Sequence, residues 1–495
     1  MGFSLNAGAA ILAVTLLVII EIFTGALLPS VSDSNEAYLL LKDRLVNQDE
    51  TMINITSITD VGWWDTDWEY RKMIIIDHDY VTETLTDFPV FINITDNDLK
   101  AHAQNDGDDI TFVNENNTLQ FSHELESYDS KNGTLVAWVN VTKVYANRDT
   151  YFFMYYGNAT VGSQENPTGT WDGNYMGVWH MKDLIQGITL GDSTNNNNNG
   201  IKKDEDEPIE VSGKIMESQN FDGANDYVNC GDDNSLVFGD GSNDYPFTIE
   251  AWVNFKDATS NDFLGKLDLT TGSEKKEYLF LTNDKDELMI RTFDNNMNAE
   301  YNYSSDDKMK LYEGTWHYYV ATYTGTINDF TLYLDGKELS GSVGQGDVEE
   351  YVAMEDTDCP FYMGKSIETH GADTNLLDGV MDEVRVSNTA RSEAWINTTY
   401  HNIHSVSQFL NVEPQQNQDY TYINISVGNA GSENLNISKK TILVNGEQTS
   451  FVFLQPFHYP EKCITLLVNV TDTGTKRIKI VSANGRAAYD TFTFP

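Results

Sequence analysis

Apolar and polar residues alternate in short runs from Trp63 to the end of the chain, and Gly, Asn and Asp separate the runs. Alternation with a period of two predicts strands that bury one face. Examples are the segments KMIIID, FPVFINI, DITFVN, LVAWVNV and YFFMYYG. Because no long stretch of helical spacing returns in this region, we predict an all-β body built from sandwiches or jelly rolls.

The start of the chain has a different pattern. Residues 8–28 are almost all apolar, a length that allows one helix to span a bilayer. No basic segment precedes them, so we predict an uncleaved signal anchor rather than a cleaved signal peptide. Glu21 lies inside this span, either as a carboxylate that a very apolar helix tolerates or as a contact with another helix. Helical spacing at 35–46 and polar residues at 47–60 predict a stalk followed by a linker.

The charge balance narrows the class of partner. The chain carries 31 basic and 76 acidic residues, which gives a net charge of −45. A field of that sign repels nucleic acid and anionic membrane surfaces, and it attracts divalent cations. Three cysteines in 495 residues do not form a disulfide framework. Cys230 and Cys359 are either a pair or two small buried apolar residues.

Two observations bear on the side of the membrane that the body occupies. Lys42 and Arg44 follow the apolar span, and the positive-inside rule weakly favours the cytoplasm for them. Sequons for N-glycosylation are dense, however, so we predict a single-pass protein of the cell membrane with its bulk outside the cell. The glycosylation candidates are Asn54, Asn93, Asn116, Asn132, Asn140, Asn158, Asn302, Asn397, Asn424, Asn436 and Asn469.

An ordered set of aromatic and acidic positions runs through residues 61–160. It comprises Trp63-Trp64-Asp65, Trp68-Glu69-Tyr70-Arg71-Lys72, the segment DFPVFINI, Asp106-Gly107, Asp109-Ile110, Glu124, Glu126, Tyr128, Ala137-Trp138-Val139 and Met154-Tyr155-Tyr156-Gly157-Asn158. This set resembles a family of archaeal and bacterial surface modules, the domain of unknown function 2341. The resemblance implies a β-rich extracellular module that often lies beside lectin-like domains, and it implies no known chemistry.

A second ordered set occupies residues 174–403. It comprises Gly177-Val178-Trp179-His180-Met181, Asp192-Ser193, the segments NFDGANDYV and FTIEAWV, Thr315-Trp316-His317-Tyr318, the hairpin LYLDG and the segment DGVMDEVRV. This set resembles the laminin-G-like, concanavalin A-like lectin/glucanase jelly roll. The resemblance implies that DGVMDEVRV closes the jelly roll and that nearby acids hold a structural calcium ion. Carried over by motif, the calcium candidates are Asp192, Asp222 and Asp382, and the alternative is that these acids only cap turns.

The two ends of the chain have a third resemblance. The start MGFSLNAGAAILAV, with its single span, and the tail segments VGNAGSENLNI, ILVNGEQ and IKIVSANGRAAY resemble archaellum accessory proteins of the FlaF/FlaG type. Filament subunits of this class have basic residues before a Gly cleavage site, and this chain has none. This departure from the pattern favours an uncleaved anchor over a processed filament subunit.

Together these patterns predict an all-β ectodomain, with a β-sandwich, a concanavalin A-like jelly roll, an Ig-like sandwich and one N-terminal transmembrane helix. The predicted boundaries are 1–30 for the signal anchor, 31–60 for the helical stalk and linker, 61–165 for the module of unknown function, 170–405 for the jelly roll and 412–495 for the Ig-like sandwich.

Catalytic motifs are missing from the sequence. No G-x-S-x-G, HExxH or Walker-type segment occurs, and the E-x-D-x-E strand typical of jelly-roll glucanases is absent. Glu250 is a lone acidic residue in a predicted strand, and His180 and His317 are lone strand histidines that we interpret as packing residues. We therefore predict a non-enzyme.

These observations favour a membrane-anchored cell-surface protein that binds carbohydrate or an envelope glycoprotein without chemistry, with structural calcium in the jelly roll. One alternative is an archaellum or pilus accessory protein that binds the surface layer. A second alternative is a glycoside hydrolase. The predicted partners are the membrane through residues 8–28, glycans or surface-layer glycoprotein, and possible archaellum or pilus components, with no nucleic acid.

Overall fold

The computed structural model describes residues 53–184, 187–203, 207–269, 274–296, 299–327, 329–344, 350–368, 372–418, 420–429, 442–444, 447–448, 451–453, 463–471, 474–481 and 487–494. Within these ranges no helix is both long and apolar enough to cross a bilayer. The predicted anchor at 8–28, the predicted stalk at 35–46 and Asn436 lie outside the described residues. The chain divides into a small unit, Met1–Val61 with Asp419–Pro495, and a large unit, Gly62–Gln418.

The small unit consists of two four-stranded antiparallel sheets. In spatial order, one sheet has Ile53–Asp60, Tyr420–Asn429, Cys463–Thr471 and Phe451–Phe453, and the other has Glu447–Gln448, Ile442–Val444, Gly474–Val481 and Ala487–Phe494. Buried residues of both sheets, such as Val427 and Ile480, form its interior. The linker predicted at 47–60 is therefore wrong for Ile53–Asp60, because this β-branched segment pairs with Tyr420–Asn429.

The large unit begins with a module of two sheets. Its six-stranded sheet has the order Leu410–Val412, Tyr70–Ile76, Thr150–Tyr156, Thr111–Val113 and Gln120–Phe121, with Gln416–Asn417 also paired to Tyr70–Ile76. Its three-stranded sheet has the order Leu85–Thr95, Thr134–Val144 and His123–Asp129. Its short helices are His78–Tyr80, Asn97–His102, Pro167–Thr170 and Val406–Phe409. The predicted module range, 61–165, is incomplete, because strands that follow the jelly roll complete the six-stranded sheet.

The jelly roll is inserted into this module. Its eleven-stranded sheet has the order Thr189–Leu190, Gly200–Lys202, Val228–Asn229, Tyr362–Met363, Asn261–Asp268, Lys275–Thr282, Glu287–Asp294, Ala299–Lys308 and Gly341–Val343. Ser366–Glu368 pairs with Asn261–Asp268, and Ala372–Thr374 pairs with Ser366–Glu368. Its eight-stranded sheet has the order Ile209–Ser212, Glu217–Asp222, Asp378–Ser387, Phe247–Asp257, His317–Tyr323, Phe330–Leu334 and Lys337–Glu338, with Tyr175–Trp179 paired to Asp378–Ser387. Short 3-10 helices lie at Asn234–Leu236 and Met309–Tyr312.

A helix follows the last jelly-roll strand, which the all-β prediction does not include. Glu393–His404 begins after Ser392, whose side chain accepts a hydrogen bond from the Trp395 amide. Asn402 on this helix accepts a bond from the Phe91 amide and donates one to the Phe91 carbonyl. The helix is therefore fixed to the module rather than to the jelly roll alone.

Module and jelly roll share a hydrophobic core. Trp252 and Tyr318, on the outward face of the eight-stranded sheet, belong to the same buried cluster as Phe91 and Trp138 of the module and Trp395 of the helix. A separate cluster fills the space between the two jelly-roll sheets. The module therefore covers the outward face of the eight-stranded sheet, and none of the described eleven-stranded sheet belongs to this shared cluster.

Candidate functional site

A row of paired residues crosses the outward face of the eleven-stranded sheet. Backbone pairing runs from Ile201 through Asn229, Tyr362 and Gly265 to Leu279. Cross-strand partners share a face of the sheet. The alternate positions Val228, Met363, Leu264 and Phe280 all belong to the core between the sheets. The row therefore points away from that core.

A pocket of about 480 Å³ lies at one end of this row. Its volume falls in the range of roughly 300–1,000 Å³ that is typical of small-molecule sites. Its lining residues are Asn199, Ile201, Lys202, Lys203, Tyr227, Asn229, Cys230 and Gly231. None of these described lining residues is acidic, so the pocket has an amide, amine and aromatic lining in a strongly acidic protein.

Tyr227 is the aromatic side chain of this pocket, and its ring is held from two sides. The Lys365 amine lies 3.4 Å from its ring centroid, and the Tyr362 ring packs edge-on at 5.9 Å. Lys202, a neighbour in the lining, is fixed by Asp183, whose two carboxylate oxygens both lie 3.0 Å from its amine. The pocket therefore has a rigid aromatic surface. Such a surface suits the apolar face of a ligand that also carries polar groups.

Two asparagines give the pocket oriented hydrogen-bond donors. The side-chain oxygen of Asn199 accepts from the Asp192 amide at 2.9 Å, and that of Asn229 accepts from the Gly231 amide at 2.8 Å. These bonds fix the orientation of both amides. Within the described part of the chain neither NH2 group donates a hydrogen bond to the protein, so both can donate to a ligand.

The strand Asp378–Ser387, which we call the closing strand, has a bulge at its acidic residues. Its pairing register with Phe247–Asp257 shifts between Glu250 and Trp252, and Glu383 has a φ of 48°. A bulge redirects side chains. Met381 and Val384 both reach the core between the sheets, although they are three residues apart. Strict alternation, which the sequence suggests, is therefore wrong at this point.

The bulge directs Glu383 toward the module, where it enters a buried network. Glu383 Oε2 accepts from Arg385 Nη2 at 2.6 Å, and Glu383 Oε1 lies 2.7 Å from His180 Nδ1. His180 also contacts the module, with Nδ1 3.3 Å from Glu126 Oε1 and Nε2 3.5 Å from Glu124 Oε2. The interpretation of His180 as a plain packing residue is wrong, because three carboxylates surround its ring.

Two tryptophans of this region pack on the same network. The Arg385 guanidinium carbon lies 4.4 Å from the Trp138 ring centroid and 5.0 Å from that of Trp171. Trp138 donates its indole N–H to Glu126, and Trp171 donates its own to Glu124. Hydrogen bonds and cation–π contacts thus offset part of the desolvation cost of these buried charges.

Burial and charge shift the pKa values of this network in opposite directions. Burial disfavours a charged imidazole, but the carboxylates of Glu383, Glu126 and Glu124 outweigh it and raise the pKa of His180 well above its usual value. Burial raises the pKa of Glu126 to about 7. Burial, followed by repulsion from Glu383, also raises the pKa of Asp382 well above its ordinary range. The network therefore carries more acidic groups than its cations balance.

The three calcium candidates lie in separate hydrogen-bonded turns and strands. Asp192 accepts backbone hydrogen bonds from Val178 and Asn198, and Asp222 accepts from the backbone of the turn that follows it. Asp382 accepts from the Ile215 amide at 2.8 Å. Across the described ranges, two groups of His and carboxylate side chains converge closely enough to share an ion, and neither contains these residues. Calcium binding stays a prediction.

Other residues that the sequence singles out are buried or internally bonded. Glu250 is 2% exposed and accepts a hydrogen bond from the Tyr318 hydroxyl, so it does not face an open cleft. His317 Nδ1 lies 2.7 Å from an oxygen of Asp335. Cys230 and Cys359 are both buried and both free, which agrees with the alternative of small buried residues.

The sequons differ in exposure. Asn93, Asn116 and Asn132 are exposed. Asn158 is 8% exposed and Asn302 is 7% exposed. Partly buried sequons are Asn140 and Asn397, and sequons in strands of the small unit are Asn54, Asn424 and Asn469.

Two family models match parts of the chain. Residues 106–182 match the model described as "Domain of unknown function (DUF2341)", and residues 222–397 match the "Concanavalin A-like lectin/glucanases superfamily". These matches confirm the two central resemblances. Both lie within residues 106–397, so the resemblance of the chain ends to archaellum accessory proteins stays a prediction. No curated protein sequence matches the chain.

Several solved structures match the chain at low similarity. The binding domain of Paraclostridial Mosquitocidal Protein 1 is 13% identical, with a TM-score of 0.35, over 62% of this chain and 75% of that one. Domain 4 of the arabinanase AbnA from Geobacillus stearothermophilus is 14% identical, with a TM-score of 0.32, over 45% and 97%. The CBM40 of a Ruminococcus gnavus sialidase is 10% identical, with a TM-score of 0.26, over 32% and 84%. TM-scores this low carry no argument about a ligand.

Proposed function

We propose that this protein is a cell-surface protein whose jelly roll binds carbohydrate, without chemistry, at the pocket beside Tyr227. The observation that carries the proposal is the lining of this pocket. It combines a held aromatic ring with the oriented amides of Asn199 and Asn229, on the jelly-roll sheet that the module leaves uncovered. Sugars present apolar C–H faces and hydroxyl groups, which these two kinds of side chain contact.

The same lining favours binding over hydrolysis. Glycoside hydrolysis generally needs two carboxyl groups about 5–9.5 Å apart on either side of the sugar bond. The described lining residues supply amide, amine and phenol groups, and Glu250 is enclosed in the network beside Arg385. The proposal therefore assigns recognition rather than catalysis to this pocket.

The proposal also includes a single-pass anchor at residues 8–28 and a body outside the cell. The sequons and the acidic composition support this placement. An accessory role in an archaellum or pilus is the alternative, and it rests on the chain ends alone.

Binding of the full-length chain in detergent to a panel of soluble polysaccharides and to the cell's own envelope tests the pocket. Tyr227→Ala should weaken carbohydrate binding by about fivefold to tenfold, because the stacking ring is lost. Tyr245→Ala is the matched control, since Tyr245 is 45% exposed on the same jelly roll and does not line the pocket. Equal binding by wild type and Tyr227→Ala, or equal losses in both variants, would contradict the proposed site.

A further inference from the structure

Three buried side chains bring metal-ligand atoms together between module and jelly roll. One oxygen each of Glu126 and Glu383 and one ring nitrogen of His180 lie within 4.8 Å of one another. His180 Nδ1 is 2.7 Å from Glu383 Oε1 and 3.3 Å from Glu126 Oε1. An ion with bonds of about 2.0–2.2 Å separates neighbouring ligand atoms by about 3 Å, so small shifts would admit one. We call these three residues the triad.

A further buried group orients each member of the triad. Arg385 donates to the outer oxygen of Glu383, which leaves Oε1 directed at the imidazole. Trp138 donates to Glu126. Glu124 Oε2 faces Nε2, the other ring nitrogen of the histidine. A carboxylate on the far nitrogen of a ligating histidine is the usual outer-shell arrangement of protein metal sites.

Hydrogen bonds also fix the carboxylate of Glu124. Ser193 donates its hydroxyl to Glu124 Oε1 at 2.7 Å, and the Trp171 indole donates to Oε2 at 2.9 Å. Carboxylates face both ring nitrogens, with Nδ1 2.7 Å from Glu383 Oε1 and Nε2 3.5 Å from Glu124 Oε2, which is the arrangement of an imidazolium. Loss of the Nδ1 proton would give a metal its lone pair, while Nε2 keeps its donor toward Glu124.

Charge also favours a cation at the triad. Glu124, Glu126 and Glu383 are three buried carboxyl groups around one imidazole, and Arg385 is shared between Glu383 and the further buried Glu250. A divalent ion would add positive charge where carboxyl groups are in excess. Burying an unpaired carboxylate is costly, so the ion would stabilise the cluster.

We propose that Glu126, His180 and Glu383 bind one divalent transition-metal ion, of the zinc or manganese class, that joins the module to the jelly roll. One imidazole and two carboxylates are ligands that such ions accept. The ligands come from the strands His123–Asp129 and Asp378–Ser387 and from the residue after Tyr175–Trp179. Binding displaces a proton from the imidazole to solvent and forms three metal–ligand bonds. This site is separate from the predicted calcium site.

Metal content of the full-length chain tests the proposal. The chain is stripped with chelator, loaded with Zn²⁺, dialysed, and its zinc measured by mass spectrometry. Wild type should keep one ion per chain, and both His180→Gln and Glu126→Gln should lose it. His78→Gln is the matched control, because Asp77, His78 and Asp149 form the other converging group and are partly exposed. His78→Gln should keep the ion.

A variant that exchanges one ligand for another allows a spectroscopic test of the site. Glu126→Cys loaded with Co²⁺ should show a sulfur-to-cobalt charge-transfer band that wild type lacks, and Asp149→Cys should not show it. The band can appear only in a folded Glu126→Cys protein. The test therefore does not depend on whether His180→Gln folds. Wild type without bound zinc, loss of zinc in His78→Gln alone, or no band in Glu126→Cys would overturn the proposal.

Discussion

His123 shows how one buried residue sets the acid tolerance of the module. Its ring is fully buried, with Nδ1 3.5 Å from the Phe121 carbonyl and its edge toward Phe112. Burial disfavours the charged imidazole and lowers the pKa of His123 to about 4. The folded chain therefore keeps this residue neutral at pH values where the unfolded chain protonates it.

The resulting prediction is a loss of stability in mild acid. Between pH 6.5 and about 4 the unfolded state binds one more proton at this residue, so the free energy of unfolding falls by up to roughly 3 kcal/mol as the pH falls. His123→Phe should remove this part of the slope in chemical denaturation at several pH values. The exposed His102 is the control, and a His102→Phe variant with the same flattening would contradict the prediction.

Single residues also show which contacts could not be predicted from the sequence. The motif positions Glu124, Glu126 and His180 are visible in it, but 54 or more residues separate the histidine from these acids. No local pattern shows that they meet. The ordered set in residues 61–160 contains Glu124, Glu126 and Trp138, and it was the available signal that these residues act together. That set did not identify His180 as their partner.

At the scale of elements, the closing strand shows what periodicity can and cannot predict. The strand follows from alternation, whereas the all-β prediction does not include the helix after it, which Ser392 caps. The bulge at Glu383 does not follow from alternation, because it depends on the register with Phe247–Asp257. As a result Arg385 and Glu383 form a buried pair, rather than the surface pair of small effect that neighbouring charges on a strand suggest.

Arg385→Met should therefore be strongly destabilising. Removing the guanidinium leaves Glu383 and Glu250 buried beside an apolar side chain, and breaking a buried pair costs about 3–5 kcal/mol. Arg291→Met is the matched control, because Arg291 pairs with Glu300 on a partly exposed strand, where such pairs contribute about 1 kcal/mol or less. Equal midpoints in urea for the two variants would refute the difference.

At the scale of the whole molecule, the order of domains was predictable and their connection was not. Local motifs identified the module and the jelly roll in order, and both family matches agree. Pairing of Leu410–Val412 and Gln416–Asn417 with Tyr70–Ile76 spans the whole jelly roll, and so no local composition marks it. The same reason explains why Ile53–Asp60 resembled a linker.

Exposure predicts which sequons are used if the body lies outside the cell. Asn93, Asn116 and Asn132 should carry glycan, because their side chains are exposed. Asn158 and Asn302 should not, because both are buried. Mass spectrometry of glycopeptides from the native host checks this, with Asn93→Gln expected to remove one glycan and Asn302→Gln none. Glycan on Asn302 in the folded protein would contradict the prediction.

The returning strands also impose an order of events during synthesis. A ribosome that has released the first module strands must still make residues 175–409 before Leu410–Val412 can close the six-stranded sheet. Ile53–Asp60 waits longer, since its partner Tyr420–Asn429 comes later still. Until then both sheets expose unpaired strand edges, which are prone to pair with other chains. The earliest strands of the nascent protein therefore need protection from other chains until residue 429 has emerged.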